Sequence, residues 1–248
     1  MKKVHDIGGS NEYGKIPFSV NSKGDFIDDE YVFKYSWHAK ALAITLASGA
    51  LGEWTLDESR HARECLPPKD YKNFTYYERW LASLVNLLIN KKIVSLNDII
   101  SFSKIINKQK NLNYLQKTFE LDNRAWLSKN VKKDISLGSP TSRDSTLQPS
   151  FKKGDFIRTV SKSPNKIKGG HTRLPSYAMG KNGVITEYRG IYVFPDKNAH
   201  SSGENPLPLY TVEFTCFELW PLENENPNDI VCLDLWEPYF QKQTSTSS

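Results

Sequence analysis

The sequence is poor in the residues that build metal centres and covalent staples. Its three cysteines, Cys65, Cys216 and Cys232, stand far apart in 248 residues. An odd number with no CxxC pair argues against a disulfide framework and fits a reducing cytosol. The five histidines (His5, His38, His61, His171 and His200) are equally scattered, so no local spacing resembles a zinc or iron site, and the chain alone is expected to bind no metal. No apolar run approaches the roughly 20 residues that span a bilayer. The opening MKKVHDIGGSNEYG carries two lysines but no apolar stretch, which leaves no secretory signal and makes the cytoplasm the expected location. No internal repeat is visible.

What is present describes a folded globular chain: 38% hydrophobic and 25% charged residues, with twelve each of Tyr and Phe, exclude a disordered or fibrous class. The length allows one large domain or two small ones with real cores, and two is the expectation. The net charge of +5 conceals an asymmetry. Between Lys104 and Lys168 fifteen Lys/Arg stand against five Asp/Glu, a local +10 that leaves −5 on the remainder. Such a run reads first as a solvated linker and second as a surface for nucleic acid or an acidic partner.

The first third has helical periodicity. EYVFKYSWHAKALAITLASGALG spaces Val32, Trp37, Ala41 and Ile44 for one helix that ends on Gly49 and Gly52. LDESRHARECLPP is a short helix closed by Pro67 and Pro68. TYYERWLASLVNLLINKK is the clearest, with Tyr77, Leu81, Leu84 and Leu88 in one stripe and lysines at its C-terminal end. Ser95 followed by Asp98 predicts a capping box opening NDIISFSKIINKQ. From about residue 105 to 150 the pattern dissolves into Asn, Lys, Ser and Thr, with room for one helical stretch. Beyond it the period becomes two in KKGDFIRTV, NGVITEY, YTVEFTCFELW and DIVCLDLWEPYF. There Val212, Phe214 and Cys216 share one face and Thr211, Glu213 and Thr215 the other, which predicts a small barrel. The fold class is therefore α+β, with an N-terminal arm and helical domain over 1–104, a variable basic linker over 105–150 and a β-barrel over 151–248.

Four places invite a functional reading. The loop GGHTRLPSYAMGKNGVI (169–185) holds Arg173 between a threonine and a Leu-Pro step; a basic loop side chain in water is its plain reading. Arg60 precedes Glu64 by four residues, which predicts an exposed intrahelical ion pair. Tyr76 and Trp80, four apart, define a second apolar face about 100 degrees from the Tyr77–Leu81–Leu84 stripe, as on a helix that packs a core on one side and lines a pocket on the other. Leu56 lies one turn before Arg60 and serves equally well as core.

These segments bear a family likeness. VHDIGGSNEYGKIP, LDESRHARECLPPKDY, YYERWL, GHTRLPSY, GKNGVI, YVFPD, PLYTVEF, ELW and VCLDLWEPY come in the order in which the nitrile hydratase beta subunit carries them, and the chain resembles that family over nearly its whole length. Departures are a longer SKSPNKIKGGH run before Arg173, a proline in ELWP where the family carries glycine, and an unmatched linker.

The resemblance implies a C-terminal barrel of SH3-like type and an enzyme that adds water to a nitrile to give an amide at an interface with an alpha subunit. It implies a non-corrin cobalt(III) or iron(III) bound by the alpha subunit through oxidised cysteines, not by this chain; Trp80, where iron-type members more often have tyrosine, favours cobalt. It implies that Arg60 and Arg173 hydrogen-bond the oxidised cysteine oxygens across the interface, a task suited to a fixed, forked cation. It implies that Tyr76, Trp80 and Leu56 line the substrate pocket, with Tyr76 placed to assist proton movement. The expected assembly is an (alpha-beta)2 heterotetramer, with a small activator protein as a further partner and neither membrane nor nucleic acid. A thiocyanate hydrolase-type subunit is the alternative within the family's relatives. A noncatalytic RNA-binding or scaffold barrel is the alternative outside them, disfavoured by an acidic second half of the barrel.

Overall fold

A computed structural model describes residues 4–6, 8, 32–108 and 123–241, without the side chains of 105–108. The described residues fall into two units. One is helical and spans 32–108 and 123–138; the other joins residues 4–6 and 8 to 139–241. The family-like N-terminal arm, beyond those four residues, and the stretch 109–122 lie outside the described residues.

The helical unit is punctuated by side-chain caps. Helix α1 (Ser36–Gly49) buries His38, Ala41 and Thr45. The expected stripe therefore fails at both ends, because the helix starts only at Ser36, leaving Val32 exposed before it, and Ile44 faces outward. Burying a threonine is tolerable here because its hydroxyl donates to the Ala41 carbonyl at 2.8 Å. The His38 ring packs edge-on to Trp37, with centroids 4.3 Å apart, and against Tyr77 at 4.6 Å.

Helix α2 (Leu56–Glu64) opens on a full capping box: the Thr55 hydroxyl accepts from the Glu58 amide at 3.1 Å, and the Thr55 amide donates to Glu58 Oε2 at 2.7 Å. Cys65 caps its far end. Helix α3 (Pro68–Asn73) begins on proline, where the missing N–H goes unneeded. Helix α4 (Tyr76–Asn90) has its own box from Thr75 and Glu78. It buries Ser83, Leu84 and Leu87, with Tyr77, Leu81 and Leu88 half-buried beside them. Leu84 and Leu87 meet Trp54 in the small core of this unit. Lys91, just past α4, reaches back to Glu58 Oε1 at 2.8 Å and ties the start of α2 to the end of α4. The predicted Ser95–Asp98 box is present, with bonds of 2.9 and 3.1 Å, and opens α5 (Leu96–Lys108).

The expected linker, 105–150, is not uniform. Its first residues finish α5, residues 128–137 form α6 (Ser128–Leu137), and Gly138 at φ 67° turns the chain out of it. Residues 139–150 belong to the strand unit, as a strap along the sheet. The Val193 amide donates to Thr141 O and the Arg143 amide to Ile191 O, both at 2.9 Å. The Arg143 guanidinium forks onto both oxygens of Glu204 at 2.7 and 2.6 Å.

The strand unit is an antiparallel meander of β1 (Phe156–Arg158), β2 (Asn182–Tyr192), β3 (Leu207–Thr215) and β4 (Ile230–Trp236), in that spatial order. Register breaks in β2 at Ile185/Glu187 and Tyr188/Gly190 curl the sheet. The chain after β4 returns to the first strand: Thr159 bridges Phe240, and the Val160 amide donates to Tyr239 O at 2.8 Å. Ile157, Ile185, Tyr210, Val212, Phe214 and Leu235 fill the interior. Gly183 fits because no side chain could: a Cβ there would stand 2.6 Å from Val212 Cγ1. Val212 and Phe214 point inward as expected, but Cys216 does not continue the strand. One helical turn, α7 (Pro195–Asn198), lies between β2 and β3, and the Thr215 hydroxyl, accepting from the Glu218 amide at 3.2 Å, starts another, α8 (Cys216–Leu219). The architecture is mixed, with helices first and strands second.

Candidate functional site

Four of the five predicted site residues lie in the helical unit. Leu56 opens α2 with half its surface exposed, and Arg60 follows one turn later. The expected Arg60–Glu64 pair does not form. Arg60 Nη1 instead donates to Asp57 Oδ1 at 2.8 Å, one turn toward the N-terminus. The Asp57 side chain is 4% exposed and that of Arg60 38%, so the buried carboxylate takes the cation that a more exposed one would hold weakly. One guanidinium nitrogen is committed to Asp57, and the side chain as a whole stays partly exposed. Glu64 engages His61, whose Nδ1 is 3.4 Å from Glu64 Oε2 and whose Nε2 is 3.4 Å from Cys65 Sγ. Hydrogen bonding to Cys65, then to Glu64, pushes the His61 imidazole up to about 9.

Tyr76 and Trp80 share a face of α4 as their spacing requires. Their ring centroids are 5.6 Å apart, and Tyr76 is 61% exposed. Sequence reasoning missed Arg63. Its guanidinium lies 4.8 Å over the Trp80 ring, and its Nη1 is 3.4 Å from Ser59 Oγ. Burial lowers its affinity for the proton, with Tyr76 opposing and Arg60 reinforcing that effect. Arg63 follows Arg60 by three residues on α2 and precedes Trp80 by seventeen. Helical spacing could have put it beside Arg60, but only tertiary packing puts it on the indole. Arg79 lies likewise over Tyr71, at 4.5 Å. The α2–α4 face is thus a set of aromatic rings and guanidinium groups, suited to a flat or electron-rich ligand beside an anionic one.

Arg173 belongs to the strand unit and is exposed. Among the described residues its guanidinium makes no hydrogen bond or ion pair, whereas its loop is tightly held. The Arg173 amide donates to Tyr239 Oη at 3.0 Å, and Leu174, 1% exposed, plugs the core. The Asn165 side chain donates to His171 O at 2.9 Å, the His171 amide to His200 Nε2 at 3.0 Å, and the Ser176 amide to Asp6 Oδ2 at 3.0 Å.

Two family models account for the chain: the N-terminal model of the nitrile hydratase beta subunit matches residues 1–125 and the C-terminal one residues 140–242. The chain belongs to the nitrile hydratase beta-subunit family. A nitrile hydratase beta subunit of Pseudomonas putida is 30% identical to it over 97% of this chain and 99% of the relative. A cobalt-containing nitrile hydratase beta subunit of Pseudonocardia thermophila is 31% identical over 97% and 96%. A thiocyanate hydrolase beta subunit of Thiobacillus thioparus is 26% identical over 38% of this chain and 54% of the relative. Nitrile hydratase likeness thus spans both units, and thiocyanate hydrolase likeness less than half the chain. No helix among the described residues is long and apolar enough to cross a membrane.

Proposed function

We propose that this chain is the beta subunit of a nitrile hydratase and hydrates nitriles to amides only together with an alpha subunit. Its own part is to supply fixed cations and a pocket wall. The metal, cobalt(III) rather than iron(III), is held by the alpha subunit; the cobalt-containing relative supports that choice. Neither unit of this chain brings three cysteines together as a thiolate set, Cys65 standing in one and Cys216 and Cys232 in the other. When bound, the metal supplies Lewis acidity toward the nitrile or water.

Arg60 and Arg173 neutralise the oxidised cysteine oxygens of the partner. Such oxygens, buried at an interface, are costly unless paired with charge-assisted donors. The partly exposed Arg60 side chain and the exposed Arg173 guanidinium, without a hydrogen bond or ion pair among the described residues, support this role. Leu56 and Trp80 wall the pocket and exclude water, while the exposed Tyr76 hydroxyl passes a proton. The return of the chain after β4 onto Thr159, preceded by the single turn Glu237–Tyr239, supports an SH3-like barrel. An (alpha-beta)2 heterotetramer, a small activator protein and a cytoplasmic location complete the proposal.

The observation that carries the reading is full-length family membership joined to an arginine-bearing aromatic face on α2 and α4. In the complex, Arg60→Lys or Arg173→Lys lowers turnover about tenfold or more while the fold persists, because an ammonium cannot reproduce the fork. Wild-type turnover in both variants refutes the role, and amide formation by the metal-free, partner-free chain refutes the division of labour.

A further inference from the structure

We propose that Tyr239 and Asp196 are positioning residues for Arg173, fixing where its guanidinium stands, an inference that rests on the reading of Arg173 above. With no hydrogen-bond or ion-pair partner among the described residues, the guanidinium is placed by the loop that carries it. At Arg173 itself the backbone of that loop is anchored by the Tyr239 hydroxyl oxygen. It accepts the Arg173 amide at 3.0 Å and the Thr172 hydroxyl at 3.4 Å, and it donates its own proton to Asp196 Oδ1. One phenol oxygen thus uses its donor and both acceptor sites. Thr172 passes the constraint on by accepting the Leu174 amide at 3.3 Å.

Both anchors are rigid. Tyr239 is fully buried, and Asp196 is 3% exposed in the first turn of α7. The Asp196 backbone carbonyl also accepts from Asn165, 3.4 Å away, and that same amide group holds His171 O. Three segments distant in sequence (the loop before Arg173, α7 and the turn after β4) therefore converge on the hydroxyl. Burial raises the pKa of both the phenol and the carboxyl, so the phenol keeps the proton it donates. Packing alone would need only a ring at position 239; the hydroxyl is explained by what it holds.

The test is a double-mutant cycle in the alpha–beta complex with Tyr239→Phe, which keeps the ring and deletes the hydroxyl, and Arg173→Lys. We expect Tyr239→Phe to lower kcat about tenfold, with KM changed less than about twofold. In the Arg173→Lys background it should lower kcat less than about twofold, because its effect runs through Arg173. Hydrogen–deuterium exchange should rise at residues 171–174 and stay unchanged in β3 and β4. Asp196→Asn, which retains an acceptor oxygen, should keep most of the activity that Asp196→Ala loses; this pair also serves if Tyr239→Phe does not fold. Equal fold-losses from Tyr239→Phe in both backgrounds, or no loss in either, overturn the positioning role while leaving Arg173 in place. Wild-type turnover of Arg173→Lys overturns the reading of Arg173 itself, and this inference with it.

Discussion

Glu58 is where the helical unit can be tested most directly. One oxygen completes the capping box on the Thr55 amide at 2.7 Å, and the other accepts Lys91 at 2.8 Å. Replacing it by alanine removes a cap, typically about 1 kcal/mol. It also removes a charge-assisted bond worth about 1.5–3 kcal/mol. Lys91 is 28% exposed against 12% for Glu58, so the freed ammonium regains water and the lower end of that range applies. The sum is about 2–3 kcal/mol. For a chain of this length that lowers the melting temperature by roughly 5–10 °C. Glu58→Gln keeps an acceptor for Thr55 but not the charge, and should lose about half as much. Far-ultraviolet circular dichroism melts of the alpha–beta complex measure both. If Glu58→Ala melts within about 0.5 kcal/mol of wild type, the clasp between α2 and α4 contributes nothing and the reasoning fails.

Two further outcomes are expected. Because the folded-state pKa of His61 is raised from 6.5 to about 9, its stabilisation is complete below the unfolded value and disappears as pH rises through the folded one. Urea midpoints should therefore fall between those two pH values and the slope should flatten in His61→Gln; identical midpoints for wild type at both ends of that window contradict the assignment. Gly183→Ala drives a methyl to 2.6 Å from Val212 Cγ1 and 2.9 Å from Phe214 Cε1, an overpacking of about 1–3 kcal/mol. An alanine variant that melts with wild type would mean the register of β2 on β3 is wrong.

What could be read from the sequence was local. The Ser95–Asp98 box depends on residues three apart and appeared where expected. Trp80 and Tyr76 share a face because helical spacing leaves them no alternative. The ion-pair partner expected for Arg60 differs because residues 57 and 64 are both within helical reach, and the burial of Asp57, which decides between them, is tertiary. Cys216 looked like the next inward strand residue, yet Thr215 can cap a helix as readily as extend a strand. The strap at 139–150 is polar and aperiodic; its order comes from partners such as Glu204, 61 residues away. The Arg63–Trp80 stack and the Tyr239–Asp196 bond join residues 17 and 43 apart, beyond any periodic pattern. Family likeness supplied the candidate residues; geometry added what holds them.

The strap has a bearing on where the chain tolerates a break. β1 pairs only with residues 182–184, so the far end of β2 has its backbone covered by Thr141 and Arg143 instead. Cleavage before Ser139 leaves that row of amides and carbonyls satisfied. Cleavage at residue 151, where the strand pattern begins, strips it and also deprives Glu237 of its hydrogen bond from Ser150. The fragment would then carry a bare sheet margin, an invitation to self-association that the intact polypeptide avoids.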